Sequence, residues 1–427
     1  MERFFIGEHS YKNMKRMAQE NYLKVKNDYE GFGKTNKYVD SLIDSPQRNI
    51  IFFCYNAYGV GGTVQTIINQ ANYLVSIGFM VTIVSLRKTS DTPVLNLDPS
   101  VRIEFLNDVR SRGRYRTYSE NILSGMRSRL FYQSEDLYSG LSLLTDVKLL
   151  KVIKSIKNSI LVGTFPGICI NLIKNSDRTN KVIVQEHKEF NSHSEEIKKS
   201  IIKYYKYAWK IIVLTEFQIS DYRKNGIKRI INIPNGIEDQ YSLLSEVISN
   251  KKKNRIVSFG RLVEMKQFDL LIESFSIIAT KYPDWRLDIY GDGEQKSRLL
   301  EMIENLSLQA QIRIYPPTSL VYEELYNSDF CVLTSSREGF GMVYIESFSM
   351  GKPVVSFDIE YGPKEFLQHE YNSLVSPCFD INHLANQMER LMNDDDLLNA
   401  MGKNARRTYI ERYEISKVVS RFLEACD

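Results

Sequence analysis

Residues 330–357 restrict the fold more than any other part of the chain. Residues 330–333 are an apolar run of the length of a buried strand. Gly339 and Gly341 break the chain behind it, between two carboxylates, Glu338 and Glu346. Residues 342–350 have a helical pattern that closes at Gly351 with Pro353 just beyond, the usual stop signal. Residues 354–357 are a second apolar run. Strand, glycine turn, helix and strand make one βαβ unit, which places the chain in the α/β class. Such units bind ligands at the carboxyl ends of their strands.

Glu346 falls inside that helix among Val343, Tyr344, Ile345 and Phe348. A carboxylate in such a setting is costly unless it is hydrogen-bonded. The hydroxyls of a sugar would satisfy it; a surface glutamate capped by solvent is the plainer alternative.

The Glu-x7-Glu spacing, with its glycines and the Gly351-Lys-Pro-Val-Val355 ending, resembles the signature of the retaining glycosyltransferases of the GT4 family. The resemblance implies the GT-B architecture: two Rossmann-like domains facing each other across a cleft, with the last helix crossing back to the first domain. In that family the first glutamate contacts the donor sugar and the second the ribose of the nucleotide. Glu338 and Glu346 match these positions, and Gly339, Phe340, Gly341 and Met342 fall in the same donor-binding loop.

At 427 residues the chain is long enough for two domains with proper cores. Hydrophobic content of 43% and charged content of 25% are those of a soluble globular protein. A net charge of +4 is too small to argue for nucleic acid as a partner. The five cysteines lie far apart with no C-x-x-C pair, which reads as reduced thiols in a reducing compartment. The first residues carry no signal-peptide core, and no apolar run approaches the roughly 20 residues of a membrane span. The expected location is the cytoplasm, with room for peripheral contact at the inner face of the membrane.

Residues 1–48 are polar and read as a helical extension. Gly33-Lys34-Thr35 is not the end of a phosphate-binding P-loop, because Asp28 stands where that motif needs glycine. The acceptor-side domain is expected over 49–250. It opens with a strand at 49–55, a glycine-rich turn, a helix with Val64, Ile67, Ile68, Ala71, Leu74 and Val75 at helical spacing, and a strand at 80–86. Gly61 and Gly62 sit where that helix begins, a ready site for an anion. The turn is not G-x-G-x-x-G, since Val64 holds the last position. The resemblance brings this loop to the donor diphosphate and the acceptor. Residues 105–150 read as irregular, with Arg110, Arg112, Arg114, Arg116, Arg127 and Arg129 interleaved with tyrosines. They are a solvated face, or a surface for a polyanionic acceptor polymer or an anionic membrane. His187 follows Glu186 at the end of the strand at 181–185. The resemblance puts a histidine of that position beside the reacting sugar; His193, in the next loop, is a weaker candidate.

Residues 249–254 read as a linker, and the nucleotide-sugar donor-binding domain is expected over 251–410. Its first strand, 255–259, leads to Gly260-Arg261 and on to Lys266. Two cations at one strand-helix junction suit a pair of phosphates. In the family the matching arginine and lysine hold the donor diphosphate. Gly291 follows the strand at 286–290 and falls beside the nucleotide by resemblance; Pro316 follows the strand at 311–315 and falls beside the nucleobase. Asp394 and Asp396 form a D-x-D at a helix start, where aspartate is expected as a cap rather than a metal ligand. Residues 411–427 read as the returning helix.

These readings combine into a retaining hexosyltransferase with His187, Glu338, Arg261 and Lys266 as its catalytic set. The donor is expected to be UDP-glucose or UDP-GlcNAc. The acceptor is a cell-envelope molecule: teichoic acid, capsular polysaccharide or surface glycoprotein. No cofactor or metal is expected, because Arg261, Lys266 and helix N-termini can stabilise the departing diphosphate. The family implies front-face attack by the acceptor hydroxyl. A sugar-nucleotide epimerase or hydrolase, and a non-catalytic partner that has kept the fold, are the alternatives.

Overall fold

The computed structural model describes residues 49–110, 117–241, 253–360 and 362–427. The expected N-terminal extension, Arg112, Arg114, Arg116, Tyr361 and most of the expected linker lie outside them. The chain divides into two compact units, one running to Gly236 and resuming over Ile415–Asp427, the other Ile237–Glu414.

The first unit is built on seven parallel strands: β1 (Asn49–Cys54), β2 (Met80–Lys88), β3 (Arg102–Asp108), β4 (Ile160–Gly163), β5 (Lys181–Gln185), β6 (Lys210–Val213) and β7 (Ile230–Asn232). Their order is β3-β2-β1-β4-β5-β6-β7. Ile50 of β1 pairs with Val81 on one side and Ile160 on the other. The central strands are apolar almost throughout because helices cover both faces of a parallel sheet. One face carries a core around Phe53, Leu149, Ile168 and Tyr205, the other a core around Phe52, Ile67 and Leu74. The last helix, Ile415–Cys426, joins the second of these, where Phe422 stacks on Phe52 with ring centroids 6.2 Å apart. This is the expected return of the C-terminal helix to the first domain.

The stretch expected to be irregular at 105–150 holds regular structure. β3 pairs with β2 in register, Thr82 to Arg102, and helices span Tyr118–Gly125 and Leu143–Ser155. β3 is an edge strand whose first residues are half-exposed, so its apolar signal is weak. Helix Tyr118–Gly125 buries no residue at all and therefore shows no core stripe; Thr117 and Glu120 start it with a reciprocal capping box.

The second unit has six parallel strands: β8 (Arg255–Phe259), β9 (Arg286–Tyr290), β10 (Ile312–Tyr315), β11 (Phe330–Leu333), β12 (Val354–Phe357) and β13 (Ser373–Ser376), in the order β10-β9-β8-β11-β12-β13. Its core gathers Phe275, Leu287, Phe330, Val355 and Met388. Asp394 caps helix Asp395–Arg412 by accepting from the Leu397 N–H at 2.8 Å, the role expected of it. All five cysteines are free thiols; four are buried and Cys378 is exposed.

The division falls at Gly236 rather than at residue 250. Ile237 is already tied into the second unit: its N–H donates to the Tyr413 carbonyl and its carbonyl accepts from the Tyr409 hydroxyl. Gly236 stays with the first unit, where a Cβ would lie 2.9 Å from Val418. The last helix likewise changes units at Ile415 rather than at residue 411.

In each sheet the chain builds strands outward in one direction and then in the other. The reversal lies between β1 and β4 in the first unit and between β8 and β11 in the second. Open α/β sheets bind ligands outside the carboxyl ends of the strands at such switch points.

Candidate functional site

Two loops leave the switch point of the second unit, one after β8 and one after β11, and hydrogen bonds stitch them together. The Thr334 hydroxyl donates to the carbonyls of Lys266 and Gln267, each at 3.0 Å. The Ser336 N–H donates to the Met265 carbonyl at 2.9 Å. Across this seam the Lys266 ammonium pairs with Oε1 of Glu338, and the Ser335 hydroxyl donates to the same oxygen at 2.8 Å. Lys266 and Glu338 retain only 16% and 15% side-chain exposure, so their pairing is poorly screened. Arg261, from the same β8 loop, is exposed and has no partner among the described residues. The sequence thus brought Arg261, Lys266 and Glu338 to one place, with one cation matched by a carboxylate and the other unmatched.

The loop after β9 is locked to the loop after β8 through Gly291. A Cβ there would lie 2.0 Å from the Gly260 carbonyl oxygen, which only glycine permits. The Leu262 N–H donates to the Asp292 carbonyl at 2.9 Å, and the Gly291 N–H to the Tyr315 carbonyl at 2.9 Å. Beneath these loops Tyr290 stacks on Phe259 (5.2 Å) and on Tyr315 (5.0 Å). Arg255, buried in the sheet, fixes the Tyr290 hydroxyl at 2.7 Å and pairs with Asp288 and Glu324, each at 2.6 Å. Pro316 is exposed at the end of β10. Arg255 and Glu324 support the site without any signal in the sequence, since their partners are far apart along the chain.

The β11 loop turns into helix Met342–Ser349 through Gly341, whose φ of +88° is left-handed and suits glycine. Gly339 and Met342 are half-buried beside it. Phe340 does not offer its side chain to a ligand: its ring is buried against Phe366 and Tyr413, 5.3 and 6.0 Å away, and anchors the loop. Gly362 braces the loop from the other side; a Cβ on it would lie 2.5 Å from the Glu338 carbonyl oxygen. Glu346 is half-buried on the helix, and its carboxylate has no partner among the described residues. Desolvation pushes its pKa up to about 7. The expected cost of a carboxylate in that setting is therefore present, and hydroxyl donors would relieve it.

The first unit has its own cavity at its switch point, about 730 Å³ in volume. The Gly61 and Gly62 turn lines it, and helix Gly62–Ser76 starts there with no side-chain cap, leaving its first N–H groups open. His187 lines it from the end of β5. Its Nε2 is buried without a hydrogen-bond partner, and burial drives its pKa down to about 4 against the opposing pull of Glu186. The imidazole is neutral at neutral pH. Glu186 lies beneath, held by the Tyr205 hydroxyl, with Nε2 of His193 3.6 Å from its other oxygen. His193 is thus also at the cavity. Glu135, a further lining residue, comes from the stretch read as irregular, where nothing marked it.

The arginine-rich surface is less uniform than its sequence. Arg110 is committed to Asp108 at 2.6 Å and to Asp91, so it is not open to an acceptor. Arg127 and Arg129 are exposed. Among the described residues, no helix is long and apolar enough to cross a membrane, and no three histidine, cysteine, aspartate or glutamate side chains converge to hold a metal ion.

Residues 243–408, most of the second unit, match the family model for glycosyl transferases group 1. The resemblance to GT4-like glycosyltransferases, read from the Glu338 to Val355 signature, is supported by that match and by relatives across both units. An exopolysaccharide phosphotransferase of Streptomyces coelicolor is 29% identical over 356 residues, 81% of this chain and 37% of the relative. A poly(ribitol-phosphate) alpha-N-acetylglucosaminyltransferase of Staphylococcus aureus is 29% identical over 281 residues, 64% of this chain and 56% of the relative. The matched regions thus span from about a third to just over half the length of these two curated relatives. Among solved structures, Staphylococcus aureus TarM in complex with UDP, fondaparinux and alpha-GlcNAc-glycerol gives a TM-score of 0.69 at 18% identity, covering 88% of this chain and 99% of that one. That likeness is one of fold: two parallel-sheet Rossmann-like domains of the GT-B kind.

Proposed function

We propose that this protein is a retaining glycosyltransferase that moves a hexose or N-acetylhexosamine from a UDP-sugar to a hydroxyl of a cell-envelope polymer. The observation that carries this is the β8–β11 switch point, where Lys266 pairs with Glu338, Arg261 is unpartnered, and Glu346 carries a carboxylate with no hydrogen bond. A diphosphate takes up the unmatched positive charge of Arg261 and shares Lys266. Ribose hydroxyls donate to Glu346. Glu338, placed by Lys266 and Ser335, accepts from hydroxyls of the donor sugar.

The chemistry follows from what these groups do as the glycosidic bond breaks. Negative charge grows on the departing diphosphate, and preorganised cations stabilise it more than they stabilise the bound donor. Arg261 and Lys266 supply that charge from the protein, so the reaction needs no metal. The acceptor hydroxyl attacks from the face the diphosphate leaves, which retains the anomeric configuration, and passes its proton to an oxygen of that departing diphosphate. Neutral His187, at the cavity of the first unit, is able to hydrogen-bond a sugar hydroxyl there. The names of the relatives favour an envelope polymer such as a poly(ribitol phosphate) or an exopolysaccharide as acceptor.

A donor screen tests the reading. The protein is incubated with UDP-glucose, UDP-GlcNAc and GDP-mannose in EDTA, with and without a polyol-phosphate polymer, and the products are separated. Sugar transferred to the polymer with UDP released is the expected result. An epimerised nucleotide sugar, or free sugar whatever the acceptor, would replace transfer by the alternative chemistry.

A further inference from the structure

The strands of the first unit run parallel, so the segments that lead into them share one rim of the sheet, at the end away from the cavity. At β4 to β7 these segments are hydrogen-bonded into a row. The Lys181 N–H donates to the Ser159 carbonyl at 3.0 Å, the Trp209 N–H to the Val182 carbonyl at 2.8 Å, and the Ile211 N–H to the Arg229 carbonyl at 2.7 Å. The row is basic. Lys157, Arg178, Lys206, Lys228 and Arg229 are exposed along it, and Lys210 is half-buried. Asp177 is the only acid in residues 156–159, 176–181, 205–210 and 225–229. Lys154, Lys174 and Lys203, in the last turns of helices that end at the same rim, answer the helix dipoles and add to the charge.

Aromatic side chains stand among these cations. Tyr207 is 67% exposed and Trp209 37%. Ammonium groups lie over the rings: Lys206 over Tyr207 at 5.1 Å, Lys203 over Tyr204 at 5.2 Å and Lys181 over Trp209 at 4.4 Å. Lys181 is itself fixed by the carbonyls of Cys426 and Asp427, at 2.8 and 3.2 Å. A nucleobase or a sugar ring would stack on such faces, and here cations cover them. Arginine is the residue for paired bonds to a single phosphate, whereas most of this row is lysine, a point charge on a flexible stem that suits a diffuse anionic surface. Tryptophan and tyrosine settle where lipid meets water, and lysine stems lie along apolar surface while the ammonium reaches out of it. We propose that this rim docks on a bilayer rich in anionic lipid, with Trp209 and Tyr207 entering the headgroup layer and the lysines neutralising the lipid phosphates. The rim is separate from the arginine-rich stretch, and it leaves the cavity, at the far ends of the strands, facing away from the bilayer.

The test sediments the full chain with vesicles of phosphatidylcholine, alone or mixed with phosphatidylglycerol. The mixed vesicles should bind at least about tenfold more tightly than the neutral ones, and added salt should weaken that binding. Lys206→Gln, Lys228→Gln and Arg229→Gln combined should lose at least about tenfold, since each cation near an anionic surface is worth roughly a fivefold change. Tryptophan emission should shift to the blue on binding, and Trp209→Phe should abolish the shift, because Trp285 is already buried. Urea midpoints equal to that of the native protein show that the variants are folded. Equal binding to the two kinds of vesicle, binding indifferent to the triple variant, or emission that does not move would overturn the proposal. So would a soluble polyol-phosphate polymer that binds through the same three cations while vesicles do not, which would give the rim to an anionic acceptor instead.

Discussion

Glu346→Gln should make the protein more stable and its donor binding weaker. The Glu346 carboxyl has its pKa pushed from the ordinary 4.5 up to about 7 by desolvation. A shift of that size corresponds to an upper limit of roughly 3 kcal/mol, at about 1.36 kcal/mol per unit. Since the side chain is only half-buried, about 1–3 kcal/mol is a fairer range. Below pH 4.5 the folded and unfolded chains both hold the proton, and Glu346 adds no penalty. As the pH rises from 4.5 to 7 the unfolded chain ionises first, and the native fold loses stability until the folded group ionises too. Glutamine does not titrate, so the variant's advantage should grow across that window and stay constant above it. Urea unfolding of both proteins between pH 4.5 and 8 measures it. In a Trp209→Phe background the remaining Trp285 is buried in the second unit and reports that unit alone. Saturating UDP-glucose should favour the native protein, since ribose hydroxyls would satisfy the carboxylate. Stability curves that run parallel over the whole pH range would refute the reasoning.

Lys266→Ala and Glu338→Gln should each lower turnover at least about tenfold with the fold intact, a loss of roughly 1.4 kcal/mol or more of transition-state stabilisation. Near-normal steady-state rates in both would remove the donor-site assignment. Gly291→Ala should destabilise the second unit by about 1–3 kcal/mol, because its Cβ would meet the Gly260 carbonyl oxygen at 2.0 Å. An unchanged urea midpoint would count against that packing. Turnover should survive excess EDTA, since protein cations stand where the leaving charge develops; activity lost in EDTA and restored by magnesium or manganese would contradict this.

The second unit was legible because short runs rich in buried apolar residues mark most of its strands. β8, β9, β11 and β12 lie where their runs of apolar residues place them. The loops were legible because glycine marks close approach: Gly291 and Gly341 stand where backbone contact or a left-handed turn demands them. Glu346 could be picked out because a carboxylate among apolar helical neighbours breaks the pattern around it. The stretch from β3 to helix Leu143–Ser155 was not legible, since a half-exposed edge strand and a helix without buried residues carry no periodicity. Glu135 was lost with it. Its place depends on Gly167 and on the end of β5, neighbours that only the folded sheet brings near. The packing of the Phe340 ring was not legible either. A residue between two glycines in a ligand loop looks like a ligand contact, yet Phe366 and Tyr413 claim its ring.

The central claim is that a nucleotide sugar binds through its diphosphate at the loops after β8 and β11. Calorimetric titration of UDP-glucose and UDP-GlcNAc into the native protein, Lys266→Ala and Arg261→Ser tests it most directly. At least one of the two donors should bind the native protein in EDTA, and each variant should lose about tenfold or more in affinity, or roughly 1.4 kcal/mol. Affinity in the variants equal to that of the native protein, or no binding of either donor to the native protein, would contradict the account.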